Sequence, residues 1–431
     1  MENYPLPSKE IEEWSDLELG VIIHHLLETH NPDVKCKHYG HTDETLPAES
    51  FNPVNVDTDQ WMAAAKAMGA KYAVFVANHS SGFSMWPTKA NDYSVKSSPY
   101  KDGNADIVKD FLESCKKYKI KPGIYYSTGC NGFYGYMDNE SQDHTTEKYQ
   151  EYSNVVMQQL EELWTEYGDI FEIWFDGGIV PKKLGGADVY SLLKKYQPNA
   201  VCFQGPQEHN KNVRWVGNER GVAPTNCWST ANSNTCAYGG DVEDIAVGLG
   251  SPNGKYWIPA EADMGNRRKD AFGGGWVWKE GEEDKCYTPE ELLDRYYTSV
   301  GRNTNLLVGM AIDDKGLFSD VEQFTEFGKL VKQIYENPVK STRGVGKEFV
   351  LELEEEEFIK NISIMEDIHY GERVRNFSVY VERPDGQEEI FNANCIGHKR
   401  LVKLNEKVKK IVLIINECID TPIIKEFTVY K

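Results

Sequence analysis

Short apolar runs alternate with helical patterns from residue 19 to residue 335, and that alternation leaves few folds open to this chain. The apolar runs fall at 19–24, 72–78, 122–126, 171–175, 201–203, 214–216, 256–259 and 304–310. Helical patterns lie between many of them, at 60–68, 106–118, 146–167, 188–196, 289–300 and 320–335. A run this short and unbroken reads as a strand buried on both faces, and such strands pair in parallel. About eight strand–helix alternations predict a (β/α)8-like barrel. Caps support the helices: Asp57 and Thr58 open one of them and Gly69 closes it.

Beyond residue 338 the apolar period changes to two. Alternating segments at 349–353, 359–364, 376–381, 389–393, 401–404, 410–415 and 425–429 read as strands, with a turn at Pro384-Asp385-Gly386. They predict a small antiparallel β-sandwich. The stretch 338–346 carries Pro, Ser and Gly without periodicity and reads as a linker. The expected division is therefore a barrel over 1–337, a linker over 338–346 and a sandwich over 347–431. The sandwich is expected to buttress the barrel.

Composition narrows the functional classes. The 431 residues carry a net charge of −21, which argues against nucleic acid and anionic lipid as partners. No apolar run reaches the length of a membrane span. The polar, acidic segment 1–14 lacks a signal pattern, and the nine cysteines are scattered without CxxC pairs. A cytoplasmic, reducing location is expected. Aromatic residues make up 12% of the chain, with 10 Trp and 24 Tyr, and flat rings suit sugar C–H faces as well as cores.

The polar residues that close the apolar runs are His24, His79, Tyr126, Asp176, Glu219 and Glu261. In a parallel barrel all six would gather at the carboxyl end of the strands, where reactive groups stand. Asp176 closes Phe171-Glu172-Ile173-Trp174-Phe175 and precedes Gly177-Gly178, which let the chain turn. Carboxylates paired at a barrel mouth, with histidines and indoles, are the equipment of a glycosidase.

Several motifs in order resemble the α-L-fucosidases of glycoside hydrolase family 29. They are LGVIIH, FNPVNVDTDQW, Asn78-His79-Ser80-Ser81-Gly82-Phe83, Met85-Trp86-Pro87-Thr88, GIYYS, IWFDGG, RWVGNERG, WIPAEAD and GRNTNLLV. The resemblance is nearest to the subfamily acting on branched 1,3/1,4-linked fucose. It implies a retaining mechanism with Asp176 as nucleophile and Glu219 as general acid/base, Glu261 being the rival. It implies sugar contacts from His24, His79, Tyr126 and Trp174, from Arg267 after the Glu-x-Asp motif, and from Trp86. It implies a fucosylated oligosaccharide or glycoconjugate as substrate and neither cofactor nor metal. Ser80, Ser81 and Asn78 replace the His, Asp and Lys common in the family, and His25 stands where Trp is common.

Three other readings compete. A metal hydrolase would use His24, His25, His30, His38 and His41, yet neighbouring strand residues point opposite ways and no HExxH occurs. The barrel would otherwise bind sugar without catalysis, or run the same chemistry on another sugar such as galactose.

Overall fold

The computed structural model describes residues 4–32, 45–136, 143–234 and 248–431. Cys36, His38, His41 and Cys236 lie outside them. Eight strands close a barrel: β1 (Leu19–His24), β2 (Tyr72–Asn78), β3 (Lys121–Tyr126), β4 (Glu172–Trp174), β5 (Val201–Phe203), β6 (Asn212–Trp215), β7 (Ala260–Met264) and β8 (Thr304–Ala311). Each pairs in parallel with the next, and β8 returns to β1. The described helices are α1 (Lys9–Leu17), α2 (Thr58–Met68), α3 (Ile107–Tyr118), α4 (Glu147–Thr165), α5 (Val189–Tyr196), α6 (Pro289–Thr298) and α7 (Val321–Ile334). The connection from β5 to β6 carries none.

Their ends follow local chemistry. The Asp57 and Asp106 side chains accept from the backbone N–H groups of Gln60 and Lys109, and Thr288 and Glu291 form a capping box. In front of the barrel, α1 lies against the amino ends of the strands. Its Trp14 indole donates to Glu172 and its Trp14 carbonyl accepts from Asn305.

Strand alternation sorts the core into two layers. Outward residues such as Val21, Ala73, Phe75, Ile124 and Ile173 pack under the helices. Inward residues such as Ile22, Tyr72, Val74, Tyr125, Trp174 and Phe203 fill the lumen. The lumen is crowded enough to need glycine: a Cβ on Gly20 would stand 2.5 Å from the Tyr72 ring. One barrel strand differs from expectation. Tyr256–Trp257 pairs antiparallel with Thr230–Ala231 outside the barrel, and β7 begins only at Ala260. Its inward residues are Glu261 and Asp263, so β7 reads as polar alternation rather than an apolar run.

The carboxyl-terminal domain is an antiparallel sheet of six strands in the order β9-β14-β10-β13-β11-β12. These are β9 (Pro338–Val345), β10 (Glu348–Glu366), β11 (Val374–Arg383), β12 (Gly386–Ala393), β13 (Arg400–Cys418) and β14 (Ile423–Tyr430). Residues 338–345, expected as a linker, are an edge strand paired with β14; Pro338 suits an edge, where one side needs no N–H. Four of the seven expected strands merge into the long β10 and β13, whose pairing slips between Glu352 and Glu357. That irregularity divides each into two apolar halves, which share one apolar cluster.

Candidate active site

Asp176 stands two residues beyond Trp174 and on the same inward face as Glu172 and Trp174. Gly177 (φ +65°) and Gly178 (φ +74°) take the chain away from the strand, and the Gly178 N–H closes the turn on the Phe175 carbonyl at 3.1 Å. Solvent reaches Asp176, yet protein surrounds it closely. That desolvation raises its carboxyl above the ordinary aspartate value, with added repulsion from Glu219. The Tyr125 hydroxyl, which donates to Oδ2 at 2.9 Å, and the Gly177 N–H act in the opposite direction.

Rings in mutual contact run around the mouth from Asp176. Tyr125 stacks on His79 at 5.5 Å, His79 meets His24 edge-on at 6.0 Å, and His24 lies 5.1 Å from Trp276. Gly309 on β8 makes room for Trp276, since a Cβ there would come within 3.0 Å of the indole. On the other side Tyr125 stacks on Trp174 at 5.4 Å, and Trp174 on Phe203 at 3.8 Å. Burial pushes His24 down to about 3 and His79 down to about 4, His79 also acting on His24, so both rings are neutral near pH 7. The Ser80 hydroxyl lies 3.0 Å from His79 Nδ1 and fixes the ring's orientation.

Glu219 rides on the loop after β6. The loop is stitched to β7 at both ends, by Val216 N–H to the Glu261 carbonyl (3.0 Å) and Gly221 N–H to the Asp263 carbonyl (2.9 Å). The Glu219 side chain is 45% exposed, with Lys269 Nζ 4.0 Å away. Its charge acts on both Asp176 and Asp263. Asp263 is buried and accepts from the Trp215 indole at 2.7 Å; burial raises its carboxyl well above the usual range.

Glu261 is placed differently from expectation. It lies within β7, fully buried, and accepts from the Tyr72 hydroxyl at 2.7 Å and the Trp174 indole at 2.8 Å. It thus sits two residues before Asp263 along β7, among lumen side chains. Trp174 in turn has its N–H engaged by Glu261 and rings against both sides, which makes it part of the pocket floor.

Tyr126 and Trp86 do not face the mouth. Tyr126 points outward into the helix layer and donates to Gln159 at 2.7 Å; Tyr125 shares the face of Trp174 because the two are register partners. Trp86 is 1% exposed and donates to Glu162 on α4 at 3.0 Å. Arg267 is buried too: Nε and Nη2 bind the two Asp320 oxygens at 3.1 Å each, and Nη1 binds the Lys279 carbonyl. His25 faces away from His24, onto Phe51, Trp61 and His30.

The alpha-L-fucosidase family model matches residues 4–333. The chain belongs to the α-L-fucosidase family. Alpha-L-fucosidase 1 of Arabidopsis thaliana is 29% identical, over 99% of this chain and 87% of that one. A solved "putative alpha-L-fucosidase" from Bacteroides thetaiotaomicron is 31% identical, superposes with a TM-score of 0.91 and is covered over 99% of both chains. A Ruminococcus gnavus family 29 fucosidase solved with fucose shares the fold at 24% identity and a TM-score of 0.81, over 99% of this chain and 95% of that one. As a glycoside hydrolase of this family, the chain presents carboxylates and neutral histidines at the barrel mouth. Sequence reasoning missed Tyr125, Asp263 and Trp276. Inward parity with Trp174 would have picked out Tyr125, had the register between strands been readable.

Proposed function

We propose that the protein removes terminal α-L-fucosyl groups from fucosylated oligosaccharides or glycoconjugates with retention of configuration. Asp176 attacks the anomeric carbon while Glu219 protonates the departing glycosidic oxygen. The bond to the aglycone breaks and a covalent fucosyl–Asp176 ester forms. Glu219, now ionised, takes a proton from water, whose oxygen attacks the same carbon and releases Asp176. His24 and His79, both neutral, exchange hydrogen bonds with ring hydroxyls without adding charge to the oxocarbenium-like transition state.

The observation that carries this reading is the placement of Asp176: a strand-end carboxylate, open to solvent, held by Tyr125 and feeling the charge of Glu219. Glu219 is favoured over Glu261 as acid/base because it is exposed, whereas Glu261 is enclosed by Tyr72 and Trp174. The motif wording supports branched 1,3/1,4-linked fucose as the preferred linkage. The thiols of Cys115, Cys202, Cys227, Cys286, Cys395 and Cys418 are free, in keeping with a reducing compartment.

The test is turnover of an aryl α-L-fucoside and a panel of fucosylated oligosaccharides, with a 2-fluoro fucosyl probe to trap the ester. Label found on Asp176 supports the assignment; label on another carboxylate, or no turnover of any fucoside, overturns it.

A further inference from the structure

Two carboxyl groups meet inside the barrel. Glu172 on β4 and Glu261 on β7 are both fully buried and lie in hydrogen-bond contact. Glu172 Oε1 accepts from Trp14 at 3.3 Å, while its Oε2 receives no donor from any other described residue. Glu261 has the opposite arrangement, since each of its oxygens already accepts, one from Tyr72 and one from Trp174. One carboxyl therefore has a single donor, on Oε1, and the other has two. Among the described residues no ion pair reaches either group. The titratable neighbours facing them are Tyr72 from β2 and Asp263 farther along β7, and Cys202 on the outward face of β5 feels the charge of Glu172. Two like charges in contact without solvent or a counter-ion cannot both persist, so such a pair holds a proton.

We propose that Glu172 and Glu261 act as a single acid pair under the pocket floor, with Glu172 donating its proton through Oε2 to an ionised Glu261. Glu261 is then a positioning residue for the proposed fucosidase reaction. Its charge fixes the Trp174 indole, Trp174 stacks on Tyr125, and Tyr125 orients the Asp176 carboxylate. Burial raises both groups, Glu172 well above the usual range and Glu261 to about 7, which agrees with Glu172 keeping the proton when Glu261 ionises. Below pH 7 Glu261 also gains a proton, and one of its two aromatic donors loses its acceptor. This inference rests on the function proposed above for its kinetic consequence, though not for its protonation.

The test pairs Glu172→Gln with Glu261→Gln in the full chain. The amide introduced by Glu172→Gln donates where the acid proton does, so kcat should fall by about threefold or less. Glu261→Gln sets an NH2 group against the Tyr72 hydroxyl or the Trp174 indole, so kcat should fall by about 100-fold while KM changes by less than about threefold. Azide should not rescue that loss, because no protonation step is missing. A second measurement needs no substrate: tryptophan emission of the wild type should titrate near pH 7, keep that transition in Glu172→Gln and lose it in Glu261→Gln. Azide rescue of Glu261→Gln, equal losses in both variants, or an emission transition that survives in Glu261→Gln would overturn the proposal. A wild type that turns over no fucoside would defeat the functional reading alone, leaving the emission titration to decide the pair.

Discussion

The Tyr125 hydroxyl donates to Asp176 Oδ2 at 2.9 Å, and it is the side-chain hydrogen bond that draws the raised carboxyl of Asp176 back toward the ionised form. Tyr125→Phe deletes this donor and keeps the ring that stacks on His79 and Trp174. The Asp176 carboxyl then rises further. Because the nucleophile must be ionised, the acid limb of the kcat/KM profile should move to higher pH, and kcat/KM should drop about 10-fold or more. A pH–rate profile of the variant against wild type checks both, and a limb that stays in place or moves down would refute the role.

Asp176 itself makes a prediction about stability as well as rate. Its folded value lies above its unfolded value, so the folded state holds the proton to higher pH than the unfolded state does. That contribution is present at low pH and is lost as pH rises through the folded value. Asp176→Asn abolishes the charge and with it the loss. Turnover should fall by about 10⁴-fold or more, while thermal unfolding near pH 7 occurs at the same or a higher temperature than in wild type. An inactive variant that melts earlier would mean that Asp176 holds the fold together instead of serving the mouth.

The barrel was legible in the sequence because its outward and inward residues are mostly apolar, so seven of its strands stand out as short runs. β7 was not, since Glu261 and Asp263 make its inward face polar and its Ala residues make the outward face small. The same polarity moved Glu261 in the sequence reading to the strand's end, when in the structure it is inside the strand. Asp176 was legible because two glycines follow it at once. Tyr125 was not, because adjacent tyrosines look alike until the Tyr125–Trp174 register is known. Trp86 shows the reverse failure: its indole meets Glu162 from a helix 76 residues away in sequence, a partner that no local pattern reveals.

Glu219 sits on a loop anchored to β7 by two backbone hydrogen bonds, so removing its side chain leaves the loop in place. Glu219→Ala should lose about 10²–10⁴-fold on fucosides with poor leaving groups and far less on activated aryl fucosides. Azide should restore turnover of the activated substrates by capturing the glycosyl ester. Rates that fall equally for all leaving groups would remove Glu219 from the acid role. Lys269, 4.0 Å from Glu219 and 81% exposed, should matter only at low ionic strength; Lys269→Ala tests this through the salt dependence of kcat/KM.

The Ser80 hydroxyl meets His79 Nδ1 at 3.0 Å. With Nδ1 so engaged, the tautomer and orientation of the ring are set, which under the proposed function fixes how it meets the sugar. Ser80→Ala frees the ring to rotate and should raise KM about 2- to 10-fold with a smaller effect on kcat. Steady-state kinetics on an aryl fucoside provide the check. A change in kcat alone would place Ser80 in the chemical step instead.

The barrel and the carboxyl-terminal sheet meet at a buried polar knot, and the last prediction concerns it. The Glu372 carboxylate accepts from the Ser229 N–H at 3.0 Å and from the Asn303 amide at 2.6 Å, while Asn303 Oδ1 accepts from the His398 N–H at 2.6 Å. Ser229 and Asn303 belong to barrel loops, Glu372 and His398 to loops of the sheet domain. Burial raises the Glu372 carboxyl, and the Ser229 and Asn303 donors oppose that rise. Glu372→Ala would leave the buried Ser229 N–H without an acceptor and the Asn303 amide with the Cys227 carbonyl and Ser229 hydroxyl, a cost of about 1–3 kcal/mol for the orphaned group. If the sheet buttresses the barrel, that loss lowers the urea midpoint of the whole chain in one transition, and activity falls only where the protein unfolds. Two separate transitions, with the barrel's midpoint unchanged, would show instead that the sheet folds and stands alone and lends the barrel no support.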